Sequence, residues 1–209
     1  TPSGVHAPSA APDGDGGVIT IFNMNPGKPT AGWNQIMSLP RRLTVDGDAL
    51  FMEPAGDVES LRTEHQRRED VELPANADIV VEGVQGDALE LIARIAPSSA
   101  PVIELDVLCS PRGEEYTRIA FYRDRGMNES FGDDRRRQSL VSIDSSRSSQ
   151  AGDVRPRAPE TAPVCLAKDE PLELRVFVDR SVVEVFVNGR QCVAVRVYPE
   201  REDSVGVRL

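Results

Sequence analysis

Residues 172–198, LELRVFVDRSVVEVFVNGRQCVAVRVY, constrain the fold of this chain more than any other stretch, because they read as three consecutive strands. Leu172, Leu174, Val176 and Val178 alternate with Glu173, Arg175, Phe177 and Asp179, the period of two that sends one set of side chains to a buried face. Asp179-Arg180 interrupts the run. Val183, Val185 and Val187 then alternate up to Asn188-Gly189, the dipeptide best suited to the two positive-φ positions of a type I′ hairpin turn. Val193, Val195 and Val197 return, and Pro199 stops the ladder because it has no N–H to give. A meander so apolar on both faces cannot stand alone in water, so it must be an inner element of a larger all-β body.

The rest of the chain has the size and composition to build that body. It has 209 residues, 39% of them hydrophobic, enough for a real core. The net charge of -10 argues against nucleic acid and against anionic membrane surfaces as partners, since both attract basic patches. No run of about 20 apolar residues occurs, and no basic-then-apolar leader. Cys109, Cys165 and Cys192 are odd in number, widely spaced and set in apolar contexts, which argues for buried free thiols over a disulfide framework or a zinc site.

Residues 1–17 are rich in Pro, Gly, Ala and Ser and read as turns. A short strand is expected over 18–22, a second apolar segment over 33–39, and a hairpin over 43–52 with its turn at Asp46-Gly47-Asp48, broken by Glu53-Pro54. These pieces are too few to make a domain, since their apolar faces need a partner sheet. The charged residues 57–68 suit a short helix or an extended linker and mark a domain boundary. Beyond them the spacing predicts strands over 79–84, 88–95, 102–108, 117–122 and 138–143, which with the C-terminal meander and 204–209 make about nine. Such regular short strands predict a two-sheet antiparallel β-sandwich of the lectin-like or jelly-roll kind. The Ser/Arg/Pro-rich residues 145–163 read as a long loop lying against a neighbour or left mobile.

Chemistry is hard to find among the residues themselves. Glu114-Glu115 and Asp133-Asp134 are adjacent carboxylates, which on a strand point to opposite faces and so cannot share a proton; they read as solvated loop charges. His6 and His65 are the only histidines, and neither has a second ligand at metal spacing. No phosphate-binding glycine loop, dinucleotide fingerprint or nucleophile elbow occurs, so no cofactor is expected. Asn128-Glu129-Ser130 fits the glycosylation sequon. Trp33, the sole tryptophan, reads either as a sugar-stacking platform or as a core residue beside Ile36.

Several segments, taken in order, resemble glycoside hydrolase family 32, the invertases, inulinases, levanases and related β-fructosidases. Residues 33–43, WNQIMSLPRRL, are similar to the family's MSLPREL segment, and 53–62, EPAGDVESLR, to the linker after it. Residues 178–189, VDRSVVEVFVNG, with Arg196-Val197-Tyr198-Pro199, resemble its C-terminal signature, and 143–148, IDSSRS, a DRS-type segment. The family couples a five-bladed β-propeller to a β-sandwich. The resemblance therefore implies an all-β chain in which 1–52 is the end of an incomplete propeller, 53–66 a linker and 67–209 the sandwich. It also implies a β-fructofuranosidic substrate of sucrose, inulin or levan type, contacted through the propeller.

The family's retaining mechanism uses carboxylates from WMNDPNG, RDP and EC motifs, and none of these occurs in this sequence. Retaining chemistry needs two carboxyl groups about 5 to 5.5 Å apart across the scissile bond. No such pair is expected within the chain, so it should be inactive by itself, with the propeller half supplied by the same or a separate polypeptide. Two subsite features carry over by position. His6-Ala7-Pro8-Ser9 falls where the family has an aromatic-Ala stretch at the pocket, and Phe22-Asn23-Met24-Asn25 where it has a WGW-like strand end. His6, Asn23 and Met24 are therefore the candidate substrate contacts, although Met24 stands where an aromatic platform would be. The rival reading from a different class is a noncatalytic carbohydrate-binding or oligomerisation module, including association with further copies of itself.

Overall fold

The structure is a computed structural model that describes residues 1–125, 138–167 and 169–209. The Asn128-Glu129-Ser130 sequon and the Asp133-Asp134 pair lie outside the described residues. The strands, in chain order, are β1 (Val5–Pro12), β2 (Val18–Met24), β3 (Ile36–Met37), β4 (Arg41–Asp46), β5 (Ala49–Pro54), β6 (Val80–Gln85), β7 (Ala88–Ile95) and β8 (Val102–Cys109). They continue with β9 (Thr117–Tyr122), β10 (Ser139–Asp144), β11 (Glu160–Val164), β12 (Leu172–Asp179), β13 (Val182–Val187), β14 (Gln191–Arg196) and β15 (Gly206–Arg208). The only helical element among the described residues is a 3-10 turn at Val58–Leu61, where the Asp57 carboxylate accepts from the Ser60 N–H. No helix among the described residues is long and apolar enough to cross a membrane.

Three antiparallel sheets result. The first has the order β1-β2-β4-β5, with β3 added on the end of β2; the second is β11-β10-β9-β8-β15-β6 and the third β14-β13-β12-β7. The second and third form the expected sandwich. Leu105, Ile119 and Phe121 of one sheet meet Leu174, Val176 and Val185 of the other in the main apolar core.

The meander explains why a third layer exists. Along β13 the residues Val183, Val185 and Val187 enter the sandwich core, yet Val182, Glu184 and Phe186 on the opposite face are buried too. Along β14 the same holds, with Val193 and Val195 inward and Cys192, Ala194 and Arg196 buried on the other side. The first sheet covers that second face, since Met24 packs with Val182 and Ala194. A strand of period two has two faces, and here both find partners. The uncovered half of the third sheet instead carries charge: Arg175 pairs with Glu90 and Glu59, and Arg62 with Glu90, strapping the 3-10 turn across β7 and β12.

The structure corrects several expectations. Residues 5–12 form an edge strand, paired to β2 with a bulge between His6 and Ser9, where Ala7 takes φ 45°. Pro8 and Pro12 are tolerated there because an edge strand has a side that needs no donor. Within 145–163 the loop ends early, as Glu160–Val164 adds an edge strand to β10 and again carries a proline, Pro163. The apolar segment 33–39 contributes only Ile36–Met37 to a ladder, while the hairpin that follows runs on to Pro54 opposite Arg41. The meander's second turn is a three-residue loop, with Val187 opposite Gln191. Asn188 and Gly189 do take the positive φ values, 48° and 62°.

Three side chains also differ from expectation. Cys165 is exposed, unlike Cys109 and Cys192. Trp33 is 46% exposed, so it is not a core residue; it lies on the Arg196 guanidinium, 5.0 Å from the ring centroid. Glu115 is 0% exposed and far from a solvated loop charge. It accepts from the N–H groups of Gln150, Glu200 and Arg201 and from Ser204 Oγ at 2.7–3.1 Å, joining three loops.

Candidate functional site

The residues singled out by position lie on the first sheet, beside its seam with the sandwich. His6 on β1 and Asn23 on β2 are direct cross-strand partners, so the ladder does bring them together. His6 Nδ1 is 3.0 Å from Gly4 O, a contact that ties the ring to its own strand end. Met24, one residue on, points the other way. It is 0% exposed, packed on Val182 and Ala194, so its side chain offers nothing to a solvent-borne ligand. Adjacent strand residues alternate faces, and that alternation removes Met24 from the candidate set while leaving Asn23 half-buried. Trp33 and the Gln35–Asn25 side-chain hydrogen bond of 3.1 Å lie on the loop between β2 and β3.

The seam itself is mainly polar. Arg41 of β4 donates to Glu184 of β13 at 2.8 Å, and the Leu39 N–H donates to the same carboxylate. Glu184 is 2% exposed, and burial holds its carboxyl above the ordinary value against the pull of Arg41 and of the Leu39 N–H. Arg41 also lies over the Phe22 and Phe186 rings at 5.0 and 5.9 Å. Farther along, the Ser3 N–H and Oγ donate to Glu160 Oε2 at 2.9 and 2.6 Å, and the Met52 N–H donates to Gly189 O at 2.6 Å. Sequence reading passed over Glu184, although a carboxylate within a run buried on both faces is itself a signal, because such a group needs a buried partner. Glu115 and Glu160 carried no local sign, their partners being 35 to 157 residues away.

At one end of the seam, loop 145–157 lies against the turn after β2 and leaves a cleft of about 150 Å³. The Arg155 N–H donates to Gly27 O at 2.6 Å, and the Gly27 N–H donates to Tyr198 Oη at 2.8 Å. Arg157 reaches across to the carbonyl oxygens of Pro2 and Pro26 at 3.3 and 3.0 Å. The two family-like segments that begin at Ile143 and Arg196 thus meet over this cleft, although neither had suggested a role for it.

Comparison with known proteins settles the family. Residues 57–209 match the family description "Glycosyl hydrolases family 32 C terminal". The chain belongs to glycosyl hydrolase family 32. It is 33% identical over 210 residues to an acid beta-fructofuranosidase of Vigna radiata var. radiata, across 86% of this chain and 31% of that protein. It is 28% identical over 190 residues to a levanase of Bacillus subtilis (strain 168), across 87% of this chain and 26% of the relative. The chain therefore spans between a quarter and a third of the length of these family 32 relatives. Its fold matches that of fructan 1-exohydrolase IIa from Cichorium intybus with a TM-score of 0.81 at 19% identity, over 99% of this chain and 44% of that one.

Proposed function

We propose that this family 32 chain is the C-terminal part of a retaining glycoside hydrolase acting on β-fructofuranosidic bonds of the sucrose, inulin or levan type. In this reading residues 1–52 close a five-bladed propeller, 53–66 link, and 67–209 form a sandwich that buttresses the catalytic half. The observation that carries it is the two-faced burial of β13 and β14: the sandwich uses its outer face as a seat for the first sheet, with Glu184 and Arg41 sealed between them. That sheet, with the antiparallel order β1-β2-β4-β5, has the make-up of one four-stranded blade of such a propeller.

The buried carboxylates already serve the scaffold, which is why the chain should be inactive alone. Glu115 holds loop N–H groups, Glu160 holds Ser3, Glu184 holds Arg41, and Asp106 is clasped by Arg118 and Arg208. Retaining chemistry needs two carboxyl groups that flank the sugar, and these four are buried away from solvent on partners of their own. His6 and Asn23 are kept as contacts for the sugar. Incubation with sucrose, inulin and levan should give no fructose from the 209-residue chain and release it once a propeller half, from the same or a separate polypeptide, is supplied; steady release by the chain alone would refute the reading.

A noncatalytic carbohydrate-binding role draws on one observation, the exposed Trp33 ring beside the Asn25–Gln35 pair. Calorimetric titration with fructo-oligosaccharides separates the two: a scaffold gives no heat, a binding module gives a saturable signal that Trp33→Ala abolishes.

A further inference from the structure

The cleft between loop 145–157 and the turn after β2 has an excess of hydrogen-bond donors. Its lining includes Arg155, Arg157 and Arg196 and no aspartate or glutamate, in a chain whose net charge is -10. Arg196 is 4% exposed, and its Nη1 has no hydrogen-bond partner; Nε of Arg157 is likewise buried and unpartnered. Arg196 uses its other nitrogens on Ser181, through the carbonyl oxygen at 3.2 Å and Oγ at 3.3 Å. Tyr198 Oη accepts from Gly27, which leaves its own hydrogen to donate. The Ser149 hydroxyl is placed the same way, accepting from the Ala151 N–H at 3.1 Å.

Buried donors left unmade are costly, and two guanidinium groups repel across a site of low dielectric. Burial presses the Arg196 guanidinium below its ordinary pKa, opposed by Tyr198 and aided by the charge of Arg157. One oxyanion in the cleft would offset that repulsion, because its charge opposes theirs and its oxygens accept from several of the accessible donors at once.

We propose that this cleft binds a phosphate group, free or as a monoester, held by the Arg155 and Arg157 side chains and the Tyr198 and Ser149 hydroxyls that line it, with the charge of the buried Arg196 behind them. Its donors come from the sandwich and its floor from the loop of the first sheet at Gly27, so an occupied site clamps the two together. Binding to the folded state alone raises stability with ligand concentration. The cleft is lined by neither His6 nor Asn23, so the proposal stands apart from the catalytic reading.

The test is calorimetry and thermal melting of the full chain with sodium phosphate, glucose 6-phosphate, uncharged glucose, and sodium chloride at matched ionic strength. Phosphate is expected to bind with Kd on the order of 0.1–1 mM and to raise the melting temperature by a few degrees beyond the chloride control. Arg157→Gln should weaken it by about tenfold, and Arg155→Gln, at an exposed side chain, by about threefold. Glucose 6-phosphate binding about tenfold tighter than inorganic phosphate assigns the site to a monoester, and equal or weaker binding assigns it to free phosphate. No heat and no shift beyond chloride would overturn the proposal. So would unchanged affinity in Arg157→Gln or, where that variant does not fold, in Arg155→Gln.

Discussion

At the scale of single residues, Glu115 shows how much one buried group can organise. Burial would raise its pKa, but the hydrogen bonds from Ser204 Oγ and from the N–H groups of Gln150, Glu200 and Arg201 outweigh that and leave it below the ordinary 4.5. A carboxyl depressed in the folded state contributes stability that is full above the unfolded pKa and is lost as pH falls through the folded one. Urea unfolding of Glu115→Gln near pH 7 should show a loss of about 3 kcal/mol, because an amide NH₂ would face donors. The gap to the parent should narrow as pH drops below about 4.5, since the unfolded parent then takes up a proton that the folded carboxyl accepts only at lower pH. The thiols give a second residue-scale test. Cys165 is exposed, whereas burial pushes the Cys109 thiol up to about 12 and raises Cys192 as well. A thiol-reactive chromophore should label one cysteine quickly and the other two only on unfolding.

At the scale of elements, the two hairpins of the meander were legible because their chemistry is local. Asn188-Gly189 meets a turn that needs two positive φ values, and Gly189 adopts 62°. A Cβ there would be strained by its backbone and would meet Glu53 Oε1 at 3.2 Å. Gly189→Ala should cost about 1–2 kcal/mol in chemical denaturation. Gly152→Ala, where a Cβ meets nothing within 4 Å and φ is not positive, should be neutral or stabilise by about 0.5 kcal/mol. The edge strands β1 and β11 escaped sequence reading for the opposite reason. Their prolines and small residues resemble turn composition, and only a neighbouring strand with free ladder groups makes them strands.

At the scale of the whole molecule, the seam between the first sheet and the sandwich has few apolar contacts and rests on the Arg41–Glu184 pair, 2.8 Å apart and nearly dry. Removing one partner strands the other, so Glu184→Ala should destabilise by about 3–5 kcal/mol. Arg41→Met combined with Glu184→Leu should recover part of that, since a buried pair is replaceable by apolar groups of like size while the Leu39 N–H still loses its acceptor. A double-mutant cycle read by thermal or urea unfolding measures the coupling. Additive losses, with no recovery in the double variant, would show that the seam does not rest on the pair.

From sequence alone came the β-rich character, the meander and the sandwich, which depend on periods and turn residues a few positions apart, and the resemblance to family 32, which rests on matched segments such as 33–43 and 178–189. The same alternation also implied that something must cover both faces of 182–196. What covers them was decided by tertiary structure. The burial of Glu115, the Glu184–Arg41 pair, the sealing of Met24 and the arginine-lined cleft all join residues far apart in the chain. A local pattern reports which side chains want to leave water; which partners meet them there depends on how the sheets stack.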